Sequence, residues 1–313
     1  MSRQAVILGY GAVGRAAAEA LQRTGWQVRI AQRSQPADLA PGAAFQAADI
    51  LDAEAVRSAV EGAGLVVMAV GLPYSGKVWT SSWPRAMHTV VEAVAGAGAR
   101  LVFADNLYMY GPQTRPLTED MALTDFGTKP AVRAEVTRIW RTAHEAGRIR
   151  ATALRAPDFY GPGVTLSHIG ETGLKVVARG KPAFLLIDPD MPHAFAYVPD
   201  IGRAIATLAA APDDAYGEAW HVPCAPISTP RALLEIGARC LGRRLRLFSL
   251  PPWALTAGGL VSPFLREVAE MRFTFDRPYE VDATKFARRF WGDATPGRVG
   301  AEATARSFAA APA

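Results

Sequence analysis

Six residues near the amino terminus, Gly9-Tyr10-Gly11-Ala12-Val13-Gly14, constrain the fold more than any other stretch. Before them runs an apolar segment of strand-forming residues, 4–8. After them come an alanine-rich segment of helical spacing, 12–23, and a second apolar run, 26–31. In that context each glycine has its own task. Gly9 permits the tight turn, Gly11 lets the backbone approach a pyrophosphate, and Gly14 lets the helix lie on the strand. The helix start then turns free N–H groups and a positive dipole end toward the phosphates. The pattern predicts a dinucleotide-binding βαβ unit; the plainer reading is a helix whose glycines serve only a turn.

The end of the second strand selects the cofactor. An acidic residue there would hydrogen-bond the ribose 2′-hydroxyl of NAD. This chain has Gln32-Arg33-Ser34 instead, and its next carboxylate is Asp38. A guanidinium grips a phosphate in a planar fork, so Arg33 and the Ser34 hydroxyl favour NADP(H) over NAD(H). The competing reading makes Arg33 a solvated surface charge.

The alternation continues downstream. Strands are predicted at 45–48, 65–71, 100–106 and 149–156, and helices at 53–61, 87–98 and 130–146. Strands alternating with helices indicate an α/β Rossmann fold, a doubly wound parallel sheet, with a smaller C-terminal substrate-binding lobe. The expected division is 1–156 for the NADP-binding domain, to which 194–222 returns, and 157–193 with 223–313 for the lobe. After Pro157, PDFYGPG and DPDMPH read as turn-rich loops.

Composition excludes other classes. The net charge of +5 is diffuse, whereas a nucleic-acid footprint needs a concentrated basic stripe. The late apolar segment 250–265 is interrupted by prolines and too short to span a bilayer. Cys224 and Cys240 lack the paired spacing of a zinc site, so no metal is expected. Two isolated cysteines, and a first strand that begins within a few residues of Met1, lead to the expectation of a cytoplasmic protein.

Five segments together resemble the extended short-chain dehydrogenase/reductase family, the NAD(P)-dependent epimerase/dehydratase group. Beside the glycine turn stand DILD (49–52), similar to an Asp-Leu-x-Asp turn near the adenine, and NLYMYG (106–111), similar to Ser-x-x-Val-Tyr-Gly. LRAPDFYGPG (154–163) and AYVPD (196–200) match two further family segments. The resemblance covers nearly the whole chain. It implies cofactor contacts at Asp49, Ile50, Val70, Gly71, Ala156 and Pro157, beside Gly9 to Gly14 and Gln32 to Ser34. It also implies a small-molecule substrate near Asp158, Phe159, His168 and His193, and is compatible with a homodimer.

The departures from the family are chemical. Its catalytic serine or threonine falls on Asn106, and its Tyr-x-x-x-Lys falls on Asp125 to Lys129, so the tyrosine is absent. Pro130 disfavours helical angles in the residue before it and is comfortable in a first turn, so the helix is expected to start at Lys129 or Pro130. Asp125 then lies in the preceding loop. Lys129 either binds the nicotinamide ribose or caps and solvates the helix entrance.

Ketone reduction needs a hydride donor held close to the carbonyl and a hydrogen-bond donor for the developing alkoxide. Asn106 is the first candidate donor, Tyr108 the second, and Asp125 a third that depends on burial keeping it protonated. Tyr110 and Tyr160 are expected to pack. A carboxylate at Asp158 and a histidine at 193 disfavour a nucleotide-sugar diphosphate. The apolar Trp253, Leu255, Leu260, Phe264, Leu265, Met271, Phe273 and Phe275, read as core or as substrate lining, favour an apolar, aromatic ketone. Three functions follow: an NADP(H)-dependent carbonyl reductase of atypical type, a sugar or nucleotide-sugar epimerase/dehydratase, and a non-catalytic NADP(H) sensor. The stripe Val132, Val136, Ile139, Trp140 and Ala143 fits either a dimer face or packing on the sheet.

Overall fold

The computed structural model describes residues 3–250, 258–260 and 262–310. The chain divides into two compact units. The first comprises 1–111, 122–155 and 201–222, and the second 112–121, 156–200 and 223–313.

The first unit is built on seven parallel strands. These are β1 (Gln4–Leu8), β2 (Gln27–Gln32), β3 (Ala44–Ala47), β4 (Leu65–Met68), β5 (Arg100–Asp105), β6 (Arg150–Arg155) and β10 (Ala219–His221). Their order across the sheet is β10-β6-β5-β4-β1-β2-β3. The chain therefore winds outward from β1 through β2 to β3, then crosses back to β4 and winds the other way. The reversal falls between β1 and β4, and the crevice beyond the carboxyl ends of strands at such a point is where open α/β sheets bind ligands. All four residues of β4 are buried, as expected for a strand covered on both faces.

Helices α1 (Ala12–Arg23), α2 (Ala53–Val60), α3 (Gly76–Ala97) and α4 (Lys129–Glu145) cover the sheet. One core joins Met68, Phe103 and Ala153 of the strands to Met87, Val90, Val94, Val136 and Trp140 of α3 and α4. Val132, Val136, Trp140 and Ala143 are buried in this core and Ile139 packs against it, so intramolecular packing accounts for the whole stripe. Helix α6 (Val198–Ala210) crosses α1 at Gly202, where a Cβ would strike the carbonyl of Ala16.

Helix α3 departs from expectation by starting eleven residues before the predicted 87. The stretch GKVWTSSWPRA holds Pro84 and several β-branched and serine residues, which are poor helix formers. Two features override that propensity. Trp79 and Trp83 are buried on the inner face, and the Thr80 and Ser81 hydroxyls bond carbonyls one turn back, Gly76 at 2.9 Å and Lys77 at 3.1 Å. Strand β4 ends at Met68 rather than Gly71, leaving Ala69 to Ser75 as a loop at its carboxyl end.

In the second unit, β7 (Asp158–Tyr160) pairs in parallel with β9 (Phe195–Tyr197), and β8 (Ala183–Leu185) with β11 (Leu247–Ser249). PDFYGPG is therefore partly strand. Helices α5 (Lys175–Ala178), α7 (Pro230–Cys240), α8 (Pro263–Glu270), α9 (Thr284–Arg289) and α10 (Gly297–Ala310) complete it. Its core gathers Tyr160, Leu174, Leu185, Phe195, Leu234, Phe275 and Phe308. Met271 and Phe273 are likewise buried, Leu265 packs on the core, and Leu260 is exposed. Trp253, Leu255 and the Phe264 side chain lie outside the described residues. Of the proposed apolar lining, Met271, Phe273 and Phe275 are thus core. Among the described residues no helix is long and apolar enough to cross a membrane.

Candidate active site

The turn after β1 has the shape of a phosphate cradle. Gly9 has φ +93°, and a Cβ there would lie 2.9 Å from both the Ala69 carbonyl oxygen and the Val70 Cα. Its glycine is required both by backbone angle and by the approach of β4's exit loop. A Cβ on Gly14 would run into the Gly9 carbonyl oxygen, so the helix touches the turn only because residue 14 is glycine. At Gly11, by contrast, a Cβ would meet nothing within 4 Å. That glycine faces open space at the start of α1, whose first turn has no side-chain cap and no acidic residue. Uncapped N–H groups facing a void fit a dinucleotide pyrophosphate. Ala12 and Val13 are half-buried in the first turn of the helix.

Around this cradle Tyr10 acts as a strut. Its N–H donates to Gln32 Oε1 at 3.0 Å, and its phenol oxygen accepts from Ala40 N at 2.9 Å. Gln32 Nε2 donates to the Ser34 carbonyl at 2.8 Å, bracing the end of β2. Arg15 lies over the Tyr10 ring and pairs with Asp38, which holds that carboxyl below its usual range. The first carboxylate after β2 is thereby occupied. Arg33 and Ser34 are exposed, and Arg33 has no hydrogen bond or ion pair with any described residue. Asp49 Oδ1 accepts from Leu51 N at 2.9 Å and shapes the turn after β3, with Ile50 buried beneath it. Val70 is half-buried and Gly71 exposed in the β4 exit loop.

At the carboxyl end of β5 the amide of Asn106 is oriented by the backbone. Asn106 Oδ1 accepts from Tyr108 N at 3.0 Å. A backbone N–H can only donate, so the accepting atom is the amide oxygen and the two N–H donors of Nδ2 point the other way. The Asn106 N–H in turn donates to Asp105 Oδ1 at 2.8 Å. Tyr108 is half-buried with its ring stacked on Trp79 at 6.2 Å between centroids.

Beneath Asn106 lies a buried charge cluster. Asp105 pairs with Arg133 of α4, and its other oxygen is 3.6 Å from Arg155 Nε. The Asp105 and Arg155 side chains are fully buried and Arg133 nearly so. The Arg133 guanidinium is 4.3 Å from the Trp83 ring centroid and 4.9 Å from that of Phe103. Arg155 Nη1 donates to the Tyr110 oxygen at 2.6 Å, and Tyr110 lies 2.9 Å from His221 Nε2. Arginine only donates, so the Tyr110 oxygen is an acceptor in the Arg155 contact. Tyr110, expected to pack against cofactor or lobe, is instead sequestered within its own unit. Lone charged residues inside apolar strands, Asp105 and Arg155, were the sequence signal for this cluster.

Lys129 is the first residue of α4 and is fully buried, its Nζ 4.8 Å from the Tyr74 ring centroid. A solvated helix entrance does not describe it. Asp125 lies in the loop before α4, as Pro130 required, but is exposed, so the burial on which its role as an acid depended is absent. Tyr74, in the exit loop of β4, received no role from the sequence.

In the second unit the Asp158 carboxylate stands between two imidazoles, 3.3 Å from His168 Nε2 and 3.5 Å from His193 Nε2. His193 stacks on Tyr279 at 5.1 Å and is almost wholly buried; His168 is a quarter exposed. Burial pushes the Asp158 carboxyl up, and the two imidazoles outweigh it, leaving it below the usual carboxylate range. Burial also holds the His168 imidazole below its ordinary value, against the pull of Asp158. Ala156 and Pro157 are buried and Phe159 half-buried where β6 runs into β7. Tyr160 packs edge-on to Phe195 as expected. Among the described residues no set of His, Cys, Asp and Glu side chains is placed to hold a metal ion.

Residues 5–222 match the profile of the NAD dependent epimerase/dehydratase family. The chain belongs to that family. It is an enzyme of the extended short-chain dehydrogenase/reductase type and a user of a pyridine nucleotide. Comparison with curated proteins gives no match. Three similar solved structures share this epimerase/dehydratase fold. A presumptive epimerase from Burkholderia cenocepacia J2315 is 21% identical, with TM-score 0.77 over 99% of each chain. UDP-glucose 4-epimerase of Thermus thermophilus, complexed with NAD, is 18% identical with TM-score 0.77, covering 99% of this chain and 100% of its own. DesIV, the dTDP-glucose 4,6-dehydratase of Streptomyces venezuelae, is 19% identical with TM-score 0.78, covering 97% of this chain and 96% of its own.

Proposed function

We propose that the chain is a cytoplasmic NADP(H)-dependent carbonyl reductase acting on apolar, aromatic ketones. NADPH supplies the hydride when bound. Gly9 to Gly14 hold its pyrophosphate, Arg33 and Ser34 its 2′-phosphate, Asp49 and Ile50 border its adenine, and Lys129 serves the ribose beside the nicotinamide. The observation that carries the reading is the Asn106 amide. Its oxygen accepts from Tyr108 N–H, which turns the two Nδ2 N–H donors away from that backbone, the polarity a developing alkoxide needs. Tyr74 and Phe126, exposed aromatics of the same unit, supply apolar surface. The test is cofactor oxidation with a panel of aryl ketones and quinones, NADPH against NADH. Binding of NADPH without oxidation by any member of the panel refutes it.

A sugar substrate is the second reading, favoured by the names of the related structures, which include a UDP-glucose epimerase and a dTDP-glucose dehydratase, each solved with NAD. Tightly retained, non-exchanging NAD+ in the purified protein would favour this alternative.

A further inference from the structure

We propose that Tyr74 is the proton donor of the reaction, taking beside Lys129 the place of the tyrosine that α4 lacks. The proposal rests on the ketone-reduction reading and identifies the acid of that same site.

Two observations single it out. First, among the described tyrosines of the first unit it is the exposed one, at 39%. Tyr10, which braces Ala40, Tyr110, shared by Arg155 and His221, and Tyr216, which donates to the Leu208 carbonyl at 3.0 Å, are all buried. Tyr108, stacked on Trp79, is half-buried. Second, Tyr74 carries a buried cation at its ring, the Nζ of Lys129 at 4.8 Å. An ammonium at that range favours the phenolate formed when the proton leaves. The ring is also held in place. It meets Trp79 edge-on at 5.7 Å between centroids, and Trp79 is anchored by its own N–H to the Pro73 carbonyl at 3.0 Å.

Topology puts the phenol in the right neighbourhood. Its loop leaves β4, the strand flanked by β1, which precedes the glycine turn, and by β5, which precedes Asn106. In the proposed step the carbonyl carbon accepts hydride and the π pair moves to oxygen, which is hydrogen-bonded by Asn106 and takes the Tyr74 proton. The phenolate, balanced by Lys129, recovers a proton from water.

The experiment compares the wild type with Tyr74→Phe, which keeps the ring against Trp79 and Lys129 and removes only the hydroxyl. The readouts are NADPH binding by fluorescence titration, and kcat, KM and the solvent isotope effect with 9,10-phenanthrenequinone and an aryl ketone. Tyr74→Phe should bind NADPH as the wild type does and keep KM, while kcat falls about 10²–10⁴-fold and its solvent isotope effect changes. A packing role predicts unchanged kcat, and that result overturns the proposal. Loss of NADPH binding in Tyr74→Phe also overturns it, by making the hydroxyl a cofactor contact. Failure of the wild type itself to oxidise NADPH is a different outcome. It removes the ketone-reduction reading and the proton donor with it.

Discussion

Gly11→Ala separates the folding role of the glycine turn from its binding role. A Cβ at this position meets no atom within 4 Å, and the backbone there has φ −75° and ψ −167°, which any residue adopts. Replacing glycine restricts the unfolded chain and favours folding by about 0.4–1 kcal/mol. Alanine is a poorer N-cap than glycine by roughly 0.5–1 kcal/mol, which opposes that gain. The two offset, so the melting temperature should move by no more than about 2 °C for a chain of this size. Binding should behave otherwise. The methyl projects into the space assigned to the pyrophosphate, and overpacking of that kind costs about 1–3 kcal/mol. At 1.4 kcal/mol per decade this is a roughly 5- to 150-fold rise in the Kd for NADPH. Fluorescence titration and thermal denaturation on the same sample decide it. An unchanged Kd in a normally folded Gly11→Ala protein would refute the placement of phosphate over the turn. Gly14→Ala serves as contrast, since there the methyl strikes the Gly9 carbonyl and stability itself must fall.

Arg33→Ala should weaken NADPH by about 10- to 100-fold while leaving NADH nearly unaffected, because a charge-assisted hydrogen bond contributes about 1.5–3 kcal/mol; equal losses for both cofactors would remove Arg33 from the 2′-phosphate. Asp105→Asn leaves two buried guanidinium groups without a counter-charge and should cost about 3–5 kcal/mol in urea denaturation. A loss well under that range would mean the cluster is neutralised by another group. Stability should also respond to acid. The folded His168 sits below its ordinary 6.5, so the unfolded chain binds the extra proton and stability is lost as pH falls from about 6.5. Asp158, depressed below 3.8, adds a second loss on further acidification. Denaturation curves between pH 8 and pH 5, about the ordinary histidine range, should flatten in His168→Gln; identical curves would show that the imidazole titrates alike in both states.

Much of the first unit was legible because its signals are local. The glycine turn, its flanking strand and helix, and Pro130 at the entrance of α4 each act within a few residues. What escaped was fixed by partners far along the chain. The first half of α3 is helical because Trp79 and Trp83 find a core, and a window of sequence containing Pro84 carries no trace of that core. Asp105, Arg133 and Arg155 read as unrelated charges until β5, α4 and β6 bring them together. Tyr74 and Lys129 are 55 residues apart, and only the exit of β4 beside the start of α4 makes them neighbours. For the apolar residues near the carboxyl terminus the sequence left core and lining open, and burial assigns Met271, Phe273 and Phe275 to the core. Hydrophobicity marks burial, and it does not tell a core from a lining.

The clamped amide of Asn106 also sets a one-way polarity. A hydroxyl in its place could rotate and serve as donor or acceptor, whereas this amide is held with its oxygen toward Tyr108 N and its N–H donors turned away from it. Oxygen atoms with bare lone pairs, as in ketones and quinones, suit those N–H donors. An amide has no proton to lose or gain across the range in which proteins stay folded. This selectivity therefore persists unchanged from mildly acid to alkaline solution, and any acidity dependence of turnover must arise at another group.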